Sequence, residues 1–569
     1  MSFNSYEFII ALLPVTVAGF WLLSRRLGHT WALGWLLLTS IVFYARASLA
    51  SLVIIAPSIL LDYGIAQLLM RTGSSRERAR NALFAAGVVA NVLFLGYFKY
   101  RNFFLDTANT VFATHFEPTR LVLPLGISFL VFQKIAFLAD VHSGEVKVLG
   151  FLEFLLFTLF FPRAVAGPIV HYQEIVPQFL DAARQDATDV AVGVCLFSIG
   201  LFKKTVIADS LGQFVSTVFG TPLNPESADL PPTMLVSWAA LLAYTFQLYF
   251  DFSGYSDMAL GVARMLGIRL PMNFNSPFKA TNIVEFWGRW HITLTRFLTA
   301  YIYTPLVLRV SRARVAKNRS ILRGRRSSAS AIGLLVAFPT LTTMTISGLW
   351  HGAGWQYIVW GSLHGAYLTV NQSWRMMRPR FWPDQVSYER FMRPVGRVLT
   401  FGCVVVALAF FRAPSVSSAI SILKGMAGVN GVFPQAVQLL RGAGIDASWR
   451  LLELELPVPA FWWFLALIPA LNLLPNSLEI LRRFHPACDF PQPEDSTPGK
   501  HTHQTLAPHY PHGYELPRPE GLRFKWRQLM RVGKTGVGLS SVVATLIALL
   551  CALGIFAINR GERFLYGQF

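Results

Sequence analysis

The chain has 569 residues, of which 53% are hydrophobic and 14% charged, and its mean hydropathy is +0.46. Soluble domains carry roughly 25% charged residues, so the composition excludes a soluble globular protein and predicts an all-α, polytopic integral membrane protein. A net charge of +20 would suit a nucleic-acid binder, but in so apolar a chain loop arginines that orient the helices account for it, and no nucleic-acid partner is expected.

In chain order, apolar segments recur near 6–23, 31–45, 49–70, 82–98, 121–139, 151–170, 189–207, 233–250, 286–308, 330–347, 355–371, 397–412, 459–474 and 536–558. A span needs about 20 apolar residues, so about eleven of these are expected to cross, the shorter ones being re-entrant or buried. The first is followed by Arg25-Arg26 without a small-residue cleavage site, and reads as a retained helix. No repeat is evident, and 1–569 reads as one polytopic domain. Arg25-Arg26 and the Arg71 to Arg80 cluster place their loops in the cytoplasm and the amino terminus outside. Lys99 and Arg101 then fall on the outer side, against that scheme. The four cysteines lie far apart without ligand spacing, so neither a disulfide framework nor a metal site is expected.

The stretch Tyr249-Phe250-Asp251-Phe252-Ser253-Gly254-Tyr255-Ser256-Asp257 sets two carboxylates among apolar residues. Buried acids need partners, and Arg264, Arg269 and Lys279 are near in sequence. Further on comes Glu285-Phe286-Trp287-Gly288-Arg289-Trp290-His291-Ile292-Thr293-Leu294. As a helix it would place Trp287, Trp290, His291 and Leu294 on one face. From Arg309 to Arg326 there are eight bases and no acid. That marks a basic cytoplasmic loop near 309–329, able to dock anionic headgroups or a phosphate-bearing acyl donor.

Thr345-Ile346-Ser347-Gly348-Leu349-Trp350-His351-Gly352-Ala353-Gly354-Trp355 is the most informative stretch. It puts a histidine among small residues between two apolar runs. An ionisable side chain inside a membrane segment is a functional-site candidate by default. His364 follows 13 residues later; at 100° per residue it would not share a helical face with His351, which gives it a structural role. The Pro- and His-rich stretch near 484–520 reads as a polar excursion without chemistry. Signatures of serine hydrolases, P-loop NTPases, zinc proteases and dinucleotide binders are missing from the sequence. What remains is histidine chemistry in a membrane cavity, which fits acyl transfer and equally a proton-coupled transporter.

A resemblance separates these. Trp287 to Leu294 and Gly348 to Ala353 resemble the paired histidine signatures of the membrane-bound O-acyltransferase family, in its bacterial alginate O-acetyltransferase branch. Leu123 to Phe129 (LPLGISF), Ala166 to Ile169 (AGPI), Gly200 to Lys204 (GLFKK), Tyr249 to Asp257, Phe410 to Ala413 (FFRA), Leu474 to Ser477 (LPNS) and the terminal Phe564 to Phe569 are similar to that branch in the same order. The resemblance implies a ring of helices around a central funnel. There a cytoplasmic thioester donor, acetyl-CoA or a relative, meets an acceptor from the other side, with no permanently bound cofactor. It implies His351 as the general base on an acceptor hydroxyl, with His291 at the thioester carbonyl or the developing oxyanion. It further implies the bacterial inner membrane, a periplasmic SGNH-like acetyltransferase partner, and an exopolysaccharide such as alginate as the final acceptor. A D-alanyl transferase for teichoic acid shares the same motifs and is the alternative enzyme.

Overall fold

A computed structural model describes residues 1–72, 76–119, 121–181, 186–219, 232–322, 328–432, 458–488 and 541–558. In chain order, the helices that build the site are α1 Glu7–Arg26, α2 His29–Arg71, α3 Glu77–Phe112, α4 Ile127–Ser143, α5 Ala187–Ser216, α6 Met234–Met265, α7 Ile283–Trp287, α8 Ile292–Leu298, α9 Ala329–His351, α10 Trp355–Phe381 and α11 Gln385–Arg412. All regular structure among the described residues is helical. Six helices (α1, α2, α3, α5, α9 and α11) are long and apolar enough to cross a membrane. The eleven spans expected thus resolve into these six, the long α6 and α10, and shorter apolar helices such as Val416–Met426. The two segments expected at 31–45 and 49–70 are both helical and meet within α2 at a break, where Ser48 leaves helical geometry (φ −166°, ψ +105°).

The centre of the molecule is α6, buried from Ala243 to Met265 without an exposed face. A helix covered on all sides belongs to the interior of a bundle. Its closest neighbour is α5, and the sequence explains the approach. Gly193 and Gly200 on α5 meet Gly261 and Gly254 on α6, and a Cβ at any of the four would collide with the backbone of the other helix. Without a hydrophobic drive between helices in lipid, small residues of this kind let backbones pack directly.

That contact also settles the two buried carboxylates. Lys204 Nζ lies 2.7 Å from Asp251 and 2.6 Å from Asp209, and Lys203 Nζ lies 2.6 Å from Asp257. The partners expected from sequence proximity are engaged elsewhere. Arg264 pairs with Asp189 at 2.8 Å, and Lys279 donates to the Leu474 carbonyl. Neighbours along one helix lost to neighbours across a glycine-lined contact.

The basic block near 309–329 begins as the helix Thr304–Ala316, and its Arg314 is buried, donating to the Ser320 and Ser330 carbonyls rather than facing solvent; residues 323–327 lie outside the described residues. So does the Pro- and His-rich stretch from 489 onward, together with the terminal Phe564 to Phe569.

Candidate active site

His351 is the last residue of α9. Gly352-Ala353-Gly354 interrupts the helix because glycine is a poor helix former, and the chain re-enters as α10. The two helices run so close that a Cβ on Gly348 would strike the Tyr357 carbonyl, and one on Gly361 the Met344 carbonyl. The buried His351 ring is walled by aromatic rings: Trp360 at 5.1 Å between centroids, Phe411 at 5.2 Å and Trp350 at 4.8 Å. The helix end behind it has exposed carbonyls, as every helix C-terminus does. Lys99 Nζ donates to two of them, Trp350 O at 2.6 Å and His351 O at 3.2 Å, and to Ser128 Oγ at 3.0 Å. Tyr100 Oη donates to Leu349 O at 2.7 Å, and Trp350 Nε1 to Ser128 O at 3.2 Å. Lys99, the base placed on the outer side by the charge reading, is half-buried and caps the helix of His351.

His291 is reached differently. The continuous helix expected over 286–308 does not form, so the four-residue face proposed for Trp287, Trp290, His291 and Leu294 does not exist. The chain leaves α7 at Gly288, and His291 takes left-handed geometry (φ +45°, ψ +52°) before α8 begins. A non-glycine residue held there costs of order 1–3 kcal/mol and needs its surroundings to hold it. Asn273 does so. Its carbonyl accepts from Ile292 N at 3.0 Å, and its side-chain Oδ1 lies 3.0 Å from His291 Nδ1 and 2.9 Å from Thr293 Oγ1. The backbone N–H of Thr293 also points at that atom, at 3.4 Å. A backbone N–H only donates, so the atom is the amide oxygen. His291 Nδ1 therefore carries the proton, and its Nε2 presents a lone pair.

The two rings converge, with centroids 6.5 Å apart and planes inclined by 55°. Beside His351 lies an apolar cavity lined by Thr245, Leu248, Phe278, Phe286, Trp287, Trp290, His351, Trp360, His364, Val404, Leu408 and Phe411. His364 is thus part of the same cavity as His351. The two histidines do not share one helix, because the break at Gly352–Gly354 folds α10 back along α9. A second, polar cavity is lined among others by Lys203, Ser256, Asp257, Asn273 and Asn476.

The scattered motif segments converge on this place. From LPLGISF, Ser128 receives Lys99 and Trp350, and Phe129 packs on Trp350 at 5.1 Å. From AGPI, Ile169 N donates to Thr293 Oγ1. Phe252 stands edge-on to His291 at 4.8 Å, and Phe411 of FFRA packs on His351. Asn476 of LPNS donates to Asn275 Oδ1 and Ser276 Oγ, and Ser477 accepts from Lys203. Sequence reasoning missed Asn273 and Trp360 as neighbours of the histidines; their only signal was polarity or an indole inside an apolar context. Lys99 did give a signal, as a base within an apolar segment.

Comparison with known proteins agrees with the geometry. The model of the membrane-bound O-acyltransferase family matches residues 83–322, a range that includes His291 and stops before His351. The peptidoglycan O-acetyltransferase of Helicobacter pylori is 38% identical over 461 residues, 76% of this chain and 80% of that protein. The probable alginate O-acetylase AlgI of Pseudomonas aeruginosa is 33% identical over 437 residues, 75% of each. The teichoic acid D-alanyltransferase of Bacillus subtilis is 30% identical over 313 residues, 54% of this chain and 73% of that one. With paired histidines buried in a multi-pass helical membrane protein, and relatives matched across three quarters of its length, this chain belongs to the membrane-bound O-acyltransferase family and is an O-acyltransferase.

Proposed function

We propose that this enzyme takes an acetyl group from a cytoplasmic thioester, acetyl-CoA or a relative, and passes it across the bacterial inner membrane for O-acetylation of an envelope glycan. The observation that carries the reading is the convergence of His351 and His291 at two helix breaks beside an aromatic cavity. The glycans in the relatives' names, alginate and peptidoglycan, share O-acetylation at sugar hydroxyls, and an exopolysaccharide such as alginate remains the first candidate. A periplasmic SGNH-like partner would complete the transfer.

His351 is the general base. Its imidazole removes the proton of the acceptor hydroxyl as the oxygen attacks the thioester carbonyl; general base catalysis of this kind contributes about 10²–10⁴-fold. The tetrahedral intermediate collapses with cleavage of the C–S bond, and the His351 imidazolium returns the proton to the departing thiolate. His291, with its lone pair on Nε2, is set to hold the acceptor hydroxyl; as a neutral ring it has no proton on Nε2 to give a carbonyl oxygen.

The test uses membranes carrying the wild type or His351→Ala, given acetyl-labelled acetyl-CoA and the candidate periplasmic partner. Base-labile ester on partner or glycan, lost in the variant, supports the reading. Retained transfer in a purified His351→Ala protein refutes the role of that residue. An absence of label with folded wild type favours a carrier-bound aminoacyl thioester as donor, as the teichoic acid D-alanyltransferase relatives would suggest.

A further inference from the structure

The cavity beside His351 is walled mostly by carbon, yet three side chains on it carry polar atoms that have no hydrogen-bond partner among the described residues: Trp287 Nε1, Trp360 Nε1 and His364 Nδ1. These residues are 5%, 4% and 1% exposed, so bulk solvent does not reach them. A buried donor left without an acceptor costs about 1–3 kcal/mol. Two indoles kept in that condition on one cavity are explained if the occupant brings the acceptor. An indole N–H only donates, so the occupant must present an oxygen or nitrogen lone pair. No lysine or arginine lines the cavity, and an isolated anion would pay heavily for desolvation there. The occupant is therefore neutral when it binds, with an acceptor atom on an otherwise apolar group. An acyl carbonyl has that chemistry.

The rings form one cluster with the base. Trp360 lies 5.1 Å from His351 and 4.9 Å from His364, and Trp287 lies 6.0 Å from Trp360 and 5.2 Å from His364. We propose that the indole N–H groups of Trp287 and Trp360 bind the carbonyl oxygen of the acyl group and stabilise the negative charge it acquires in the transition state. This rests on the acyl-transfer reading above and supplies its missing element, since Asn273 holds the neutral His291 with its Nε2 as an acceptor. When the hydroxyl oxygen bonds to the acyl carbon, the carbonyl π pair moves onto oxygen, where two donors in a water-poor cavity receive it. When that pair returns, the C–S bond breaks and the donors relax to a neutral carbonyl. The two tryptophans are catalytic residues in this assignment.

The experiment replaces each indole by a ring without the N–H, Trp287→Phe and Trp360→Phe, singly and together, in the full chain purified in detergent. Removing one oxyanion donor costs about 10²–10³-fold in kcat where such donors have been deleted. The expected result is a loss of that order in kcat, with KM for the acetyl thioester within about twofold and melting temperatures close to wild type. Binding is read in parallel with two inert donor analogues: a ketone in which CH2 replaces the thioester sulfur, and a thioether that lacks the carbonyl. The wild type should prefer the ketone, and the double variant should lose that preference. Unchanged kcat and unchanged preference in all variants overturn the proposal and leave the N–H groups only an N–H···π contact with the His364 ring. A wild type that prefers the ketone but transfers no acyl group keeps the donors and rejects the acyl-transfer reading; one that does neither rejects both.

Discussion

The two histidines of the site are held by opposite means. His291 is fixed by hydrogen bonds: a left-handed backbone, an Asn273 oxygen on Nδ1, and a clip of main-chain bonds that joins Asn275 to Arg289 and Asn273 to Ile292. His351 is fixed by packing: three aromatic walls, a glycine-lined contact between α9 and α10, and a helix end capped from behind by Lys99 and Tyr100. A hydrogen-bonded imidazole has its tautomer decided for it. The ring of His351 is enclosed by Trp350, Trp360 and Phe411 at the very end of its helix. The proposed division of labour, with His351 as base and His291 on the acceptor, is tested by perturbing each support in turn.

The comparison breaks first at the base. His351→Ala should lower transfer by about 10²–10⁴-fold with normal expression, while His291→Ala should cost less because it removes a contact with the acceptor rather than the proton carrier. Initial rates of labelled acetyl transfer by the two purified variants measure this. Equal losses would make the histidines one functional unit and erase the distinction drawn from their surroundings.

The next largest effect is expected from Lys99→Met. It removes the donor from the Trp350 and His351 carbonyls while keeping much of the side-chain volume. Each buried acceptor left unsatisfied costs about 1–3 kcal/mol, which a shifted helix end would express as roughly a tenfold to hundredfold loss in kcat. Lys99→Arg should recover part of it. A Lys99→Met enzyme with wild-type kcat would show that aromatic packing alone positions His351.

Much of this was legible in the sequence, for reasons that also explain what was not. Hydropathy runs mark helices because a bilayer demands length and apolarity, so α1, α2, α3, α5, α9 and α11 follow from composition. His351 and His291 stand out because ionisable groups are rare at such places. Pairings between elements far apart in the chain have no signature in spacing. Asp251 and Asp257 were matched to bases nearby in sequence, yet they are paired with Lys204 and Lys203 because Gly193 and Gly200 let α5 press on α6. Helix breaks were the other blind spot. Gly288 and Gly352–Gly354 each end a helix within an apolar run, and both face arguments, for Trp287 with His291 and for His351 against His364, failed by carrying the 3.6-residue period across a break.

A smaller effect, on stability, should come from Gly348→Ala. Its Cβ would meet the Tyr357 carbonyl and the backbone of Gly361, neither of which swings away as a flexible side chain does. Overpacking of this kind costs about 1–3 kcal/mol. A lowered melting temperature in detergent, with a kcat that falls in proportion to the displacement of α10, is the expected outcome. An unchanged melting temperature would show that α9 and α10 are free to separate and that His351 is not held by their contact.

The smallest expected effect sharpens the comparison most. Asn273→Ala deletes the acceptor on His291 Nδ1 and on Thr293 Oγ1 but leaves the Asn273 carbonyl, which still accepts from Ile292 N. The clip should persist while the tautomer is released. One hydrogen bond is worth about 1 kcal/mol net, so activity should fall only about fivefold to tenfold, as the ring divides its population between two tautomers. Nitrogen NMR of labelled histidine reads this directly: wild type should show His291 protonated on Nδ1, and the variant a mixture, with His351 unaffected in both. A wild-type spectrum with the proton on Nε2 would reverse the assignment, making His291 a donor to the carbonyl and removing the need for the two indoles.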